Sequence, residues 1–78
     1  MPPPPPPPIV QFAERGGFDT GHTDGRRAAY NGAPNDPYHM RAYRDTPGYQ
    51  PGMGPFGVYK DAFRRGYVRG FEDGYAGR

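Results

Sequence analysis

The sequence predicts a mostly α-helical chain with a large irregular fraction: an antiparallel two-helix hairpin with a Gly/Pro-rich connector and a polyproline II tail at its N-terminus. Three observations carry this. An aromatic recurs at every fourth residue from Tyr59 through Phe63, Tyr67 and Phe71 to Tyr75, with Ala62, Gly66, Gly70 and Gly74 before the last four. A degenerate copy, Gly17-Phe18, Gly21-His22, Gly25-Arg26 and Ala29-Tyr30, keeps the small residue at the same spacing. A period of four lies near the 3.6-residue helical turn and far from the alternation of a strand. Between the copies, residues 33–57 hold five prolines and four glycines, a density that excludes a long helix or a central strand.

The chain accordingly divides into a proline-rich tail (1–10), a first Gly/aromatic repeat (11–32), a connector (33–57) and a second repeat (58–78). Pro2 to Pro8 form a polyproline II rod with no donors to offer a core. The rod fits an aromatic-lined groove such as that of an SH3 or WW domain, but without flanking Arg or Lys it also reads as a stiff spacer. Within the first repeat, Gly17-Phe18-Asp19-Thr20-Gly21 parallels Gly70-Phe71-Glu72-Asp73-Gly74, and Asn31-Gly32 follows as a helix stop. In the connector, Asp36-Pro37 reads as an N-cap and first helical residue, so Tyr38 to Arg44 form one or two turns that Asp45-Thr46-Pro47-Gly48 ends.

Glycine makes these helices expensive. Each interior Gly costs about 0.8–1 kcal/mol relative to Ala, so Gly66, Gly70 and Gly74 subtract roughly 3 kcal/mol from a helix already marginal alone. Contact offsets this cost: glycines four apart make a groove that admits a second backbone, and the rings close over the seam. With groove on groove, ridges of residues four apart predict a crossing near −50°.

Size sets a limit on the core. Seventy-eight residues make one small domain, and Leu, Ile, Val and Phe number only nine. The twelve aromatic rings supply the remaining apolar surface. No cysteine is present to staple the fold. The monomer is therefore expected to be marginal or disordered, its uncovered rings favouring association with further copies. A net charge of +2 and a pI near 9.2 permit anionic partners without demanding them. The N-terminus lacks the pattern of a secretory signal, and no apolar run is long enough to span a membrane.

The tandem stretch Phe63-Arg64-Arg65-Gly66-Tyr67-Val68-Arg69-Gly70-Phe71-Glu72-Asp73-Gly74-Tyr75, preceded by a Gly-rich copy and Asp36-Pro37-Tyr38, resembles a scattered group of short uncharacterised bacterial proteins with aromatic-x-x-Gly repeats. The resemblance covers Arg15 to Arg78. It implies helices and an exported protein, and it assigns no activity, cofactor or binding residue.

The leading functional expectation is a non-enzymatic structural or protein-interaction module that self-associates. Gly66, Tyr67, Gly70, Phe71, Gly74 and Tyr75, with Gly17, Phe18, Gly21 and Gly25 as counterparts, would make the contact. Neither Ser nor Cys is present as a nucleophile, so no catalytic residue and no cofactor are expected. Asp19, His22 and Asp24, with His39 only if the connector returned to the first helix, fall short of a metal site. The second expectation is a flexible binder of single-stranded nucleic acid, with Arg64, Arg65 and Arg69 on phosphates and Tyr67 stacked on a base. Glu72 and Asp73 weaken it by lowering the local charge.

Overall fold

The computed structural model describes all 78 residues. Helix α1 runs Pro8–Tyr30, a 3₁₀ turn follows at Pro37–His39, α2 is Arg41–Asp45, and α3 is Phe56–Tyr75. The long helices are the two repeats, as expected, but both begin earlier than the pattern suggests. Pro8 opens α1 because the first helical residue needs no N–H, and the Pro7 carbonyl accepts from Val10 and Gln11. Pro55, the residue before α3, takes the part of Pro7, its carbonyl accepting from Val58 and Tyr59.

The helices also end alike. Gly32 and Gly77 sit at φ 68° and 81°, a conformation that favours glycine. Gly32 N–H donates to Ala29 and Ala33 N–H to Ala28; Gly77 donates to Gly74 and Arg78 to Asp73. Both are Schellman closures. In the connector, the Asp36 carboxylate accepts from Tyr38 N–H as the expected cap, and Thr46, at φ 42°, stops α2.

The expected pairing of the two repeats holds, but its direction does not: α1 and α3 run parallel. A Cβ on Gly66 would strike the Glu14 carbonyl, one on Gly70 that of Phe18, and one on Gly74 that of His22, so both chains advance together. Ile9 lies against Gly54 and Phe12 beside Tyr59 at one end, while the Tyr75 hydroxyl reaches the Ala33 carbonyl at the other. The reason lies in the link. Residues 31–55 are long enough to retrace the whole of α1, about 34 Å at 1.5 Å per residue, and restart α3 beside its beginning.

That return path also removes the basis for a marginal or disordered monomer. The connector covers the ladder of α3, with Tyr43, Tyr49, Met40, Met53 and Ala33 packed on the core, so the rings from Tyr59 to Phe71 need no further copy to cover them. Tyr59, Phe63, Tyr67 and Phe71 are each at most 2% exposed. The radius of gyration, 13.1 Å, is close to the ~12 Å of a folded domain of this length even with the proline arm included.

Candidate functional site

Six glycines form the seam. A Cβ placed on Gly17, Gly21 or Gly25 would meet the carbonyls of Phe63, Tyr67 and Phe71, the mirror of the α3 contacts. At all six the obstacle is backbone, which cannot swing aside as a side chain would. The hydrogen held in place of Cβ points at the facing carbonyl, the arrangement of a weak Cα–H···O contact.

These contacts define a pseudo-two-fold axis along the helices. Gly17 matches Gly66, Gly21 matches Gly70 and Gly25 matches Gly74, each glycine facing the carbonyl three residues before its partner. The string Gly17–Gly21 is thus equivalent to Gly66–Gly70, one period before the match that sequence similarity suggests. Rotation about the axis relates the α3 stripe Tyr59, Phe63, Tyr67, Phe71, Tyr75 to Val10, Glu14, Phe18, His22, Arg26 of α1. One stripe lines the groove that the connector fills; the other lines the groove on the opposite face.

The filled groove holds a continuous ladder. Successive ring centroids from Tyr59 to Tyr75 are 6.0, 6.2, 6.1 and 6.2 Å apart. Tyr alternates with Phe, and each hydroxyl reaches a different anchor. Tyr59 donates to the Pro47 carbonyl at 2.7 Å, Tyr67 to Asp24 Oδ2 at 2.7 Å and Tyr75 to the Ala33 carbonyl at 2.6 Å. Two of these bonds strap the connector down and the third crosses to α1. Phe63 and Phe71, between them, have no polar group to satisfy. Burial raises the pKa of Tyr59; burial, reinforced by the bond to Asp24 and its negative charge, raises that of Tyr67 further.

The expected packing residues therefore meet inside one chain. Gly17, Gly21, Gly25, Gly66, Gly70, Gly74, Tyr67 and Phe71 are buried, Tyr75 and Phe18 half-buried. Phe18 stacks on His22 at 6.1 Å. The nucleic-acid set is split: Tyr67 is fully buried and closed to a base, while Arg65 and Arg69 are exposed. Arg64 serves the fold, donating through Nε to the Tyr43 carbonyl at 2.9 Å and through Nη2 to that of Arg44 at 3.3 Å, its guanidinium 4.8 Å from the Tyr43 ring. Asp19, His22, Asp24 and His39 form no cluster able to hold a metal: Asp24 faces Tyr67 and Arg27, and His39 bonds Asp36. No helix is long and apolar enough to cross a membrane.

Two surface features escaped sequence reasoning. Phe12, Tyr59, Tyr49 and Phe56 form a chain of ring contacts, at 6.5, 5.5 and 5.1 Å, at the end where the proline arm leaves. Phe12 and Phe56 remain 56% and 48% exposed there. On the outer face of α3, Tyr38 and Tyr43, edge to face at 5.4 Å, border an open groove with Arg64, Arg65, Val68 and Arg69. The signal for the first was the uninterrupted apolar run from Pro2 to Val10 with Phe12 behind it.

No protein-family model matches the chain, and neither a curated protein nor a solved structure is detectably similar to it.

Proposed function

We propose that the protein is a non-enzymatic interaction module that self-associates through its apolar end. The glycines and most of the ladder are spent inside the chain, so association falls to the surface they leave. The observation that carries this reading is the half-exposed ring cluster of Phe12 and Phe56, adjoining Ile9, Val10 and an arm of exposed prolines. Clustered rings at one end mark an interaction surface better than the same residues scattered singly. An extended arm with free carbonyls adds a second element that a neighbouring copy, or a protein with an aromatic-lined groove, can grip. Kinship with the exported aromatic-x-x-Gly proteins fits this reading and is part of the proposal.

Sedimentation over a concentration series tests it. The wild-type mass should rise with concentration, and a Phe12→Asp, Phe56→Asp double variant with an unchanged circular dichroism spectrum should remain monomeric. A wild type that stays monomeric throughout overturns the reading.

A further inference from the structure

We propose that the groove between Tyr38 and the outer face of α3 binds single-stranded nucleic acid, with a base stacked on Tyr38 and phosphates on Arg65 and Arg69. The site is distinct from the apolar end, since none of its lining residues belongs to the ring cluster of Phe12, Tyr59, Tyr49 and Phe56.

Three properties converge. First, the groove is cationic: Arg64, Arg65 and Arg69 line it with Asp61 as the single carboxylate. Two of them are available. Arg69 makes no ion pair, and Arg65 is held only by Glu14 across a solvent-exposed 3.2 Å bridge of the kind that exchanges readily for another anion. Being four residues apart, they stand about one helical turn from each other on the same face, like two successive contacts along a strand.

Second, the groove offers a free aromatic face. Tyr43 is committed, with Arg64 over its ring and Tyr67 beside it. Tyr38 meets Tyr43 only edge to face and is 55% exposed, so a planar ring can settle on it at little cost in desolvation. Third, the platform is fixed beforehand. Asp36 caps the 3₁₀ turn that carries Tyr38, and Arg64 clamps the end of α2 behind it. An acidic peptide would satisfy the arginines but leave the Tyr38 face unused; a strand of nucleotides uses both, and any base has a π-face to stack.

The test is fluorescence anisotropy of labelled octamers of uridylate, of thymidylate and of glutamate with the full-length protein, at two salt concentrations. Saturable binding of either oligonucleotide is expected, the uridylate and thymidylate arms telling RNA from DNA. Tyr38→Ala should weaken it about tenfold and Tyr38→Phe should restore it, because stacking needs the ring and not the hydroxyl. Arg69→Gln should reduce the slope of log affinity against log salt by about 0.7, the loss of one phosphate contact. No saturable binding of either oligonucleotide, binding of the glutamate peptide alone, or equal affinity for a folded Tyr38→Ala variant would each overturn the proposal.

Discussion

The two grooves flanking the glycine seam share one backbone geometry and differ almost wholly in their side chains. In one, Tyr59, Phe63, Tyr67 and Phe71 are buried, with Tyr75 half-buried at the end of their ladder beneath the connector. In the other, the equivalent positions carry Val10, Glu14, Phe18, His22 and Arg26, none of them fully buried, with Glu14 paired to Arg65. The seam is thus symmetric and its covering is not. What appeared as a worn repeat in the first helix is the solvent-facing edition of the same stripe: polar residues stand where no chain returns to exclude water, and rings where one does.

The symmetric part breaks first. Gly70→Leu drives a side chain into the Phe18 carbonyl and forces the helices apart along their whole contact, a loss of at least about 3 kcal/mol in urea denaturation, a large fraction of the stability of a domain of this size. Gly16 is the control, since a Cβ there meets nothing within 4 Å. Gly16→Ala should stabilise the protein by about 0.5–1 kcal/mol through helix propensity alone. Destabilisation by both to a similar degree would mean that helix geometry at large, and not the seam, is what the glycines serve.

How much of this was open to sequence reading depends on the residue. Gly17, Gly21, Gly25, Gly66, Gly70 and Gly74 announced a backbone-to-backbone seam, because no other arrangement repays so many helical glycines. Direction was hidden for the same reason: a row of glycines at spacing four looks identical from either end. It is set by contacts no local pattern encodes, such as Ile9 on Gly54 and Tyr75 on Ala33. Tyr67 illustrates a different failure. The motif Arg-Gly-Tyr is the same whether extended in solution or wound in a helix, and only the ladder's phase beside the glycines places its ring inside and Arg65 and Arg69 outside.

Exchanging the two grooves' residues sharpens the comparison at intermediate scale. Phe63→Glu puts a carboxylate among Tyr59, Tyr67 and the connector, and should cost about 3–5 kcal/mol, as the loss of a buried Phe does even before the charge is counted. Glu14→Phe, at the equivalent position, loses only a surface bridge worth about 0–1 kcal/mol and gains partial ring burial, so its stability should stay within about 1 kcal/mol of wild type. If thermal melts show the two substitutions to be equally damaging, the open groove is covered in solution by something, and a second copy becomes the first candidate.

Within the ladder, the smallest effect concerns the one hydroxyl that bonds a carboxylate. Tyr67→Phe removes the bond to Asp24 while keeping the ring, and should cost about 1.5 kcal/mol at neutral pH. The pH dependence identifies the cause. The native state holds the Tyr67 proton above the pH at which a free tyrosine, near 10, lets it go, so the unfolded chain ionises first. Stability from this group is then complete below about pH 10 and falls as pH rises beyond it, because the native state binds more protons than the unfolded one. Phenylalanine has no such proton to hold. Melting curves of the two proteins, well separated at pH 8, should therefore draw together towards pH 11, with Tyr59 contributing the same decline to both. Curves that stay separated and parallel would show that the fold does not hold the Tyr67 proton; curves that coincide at every pH would show that Tyr67 stabilises the fold by its ring alone, and that Asp24 owes its place to Arg27, 3.7 Å away.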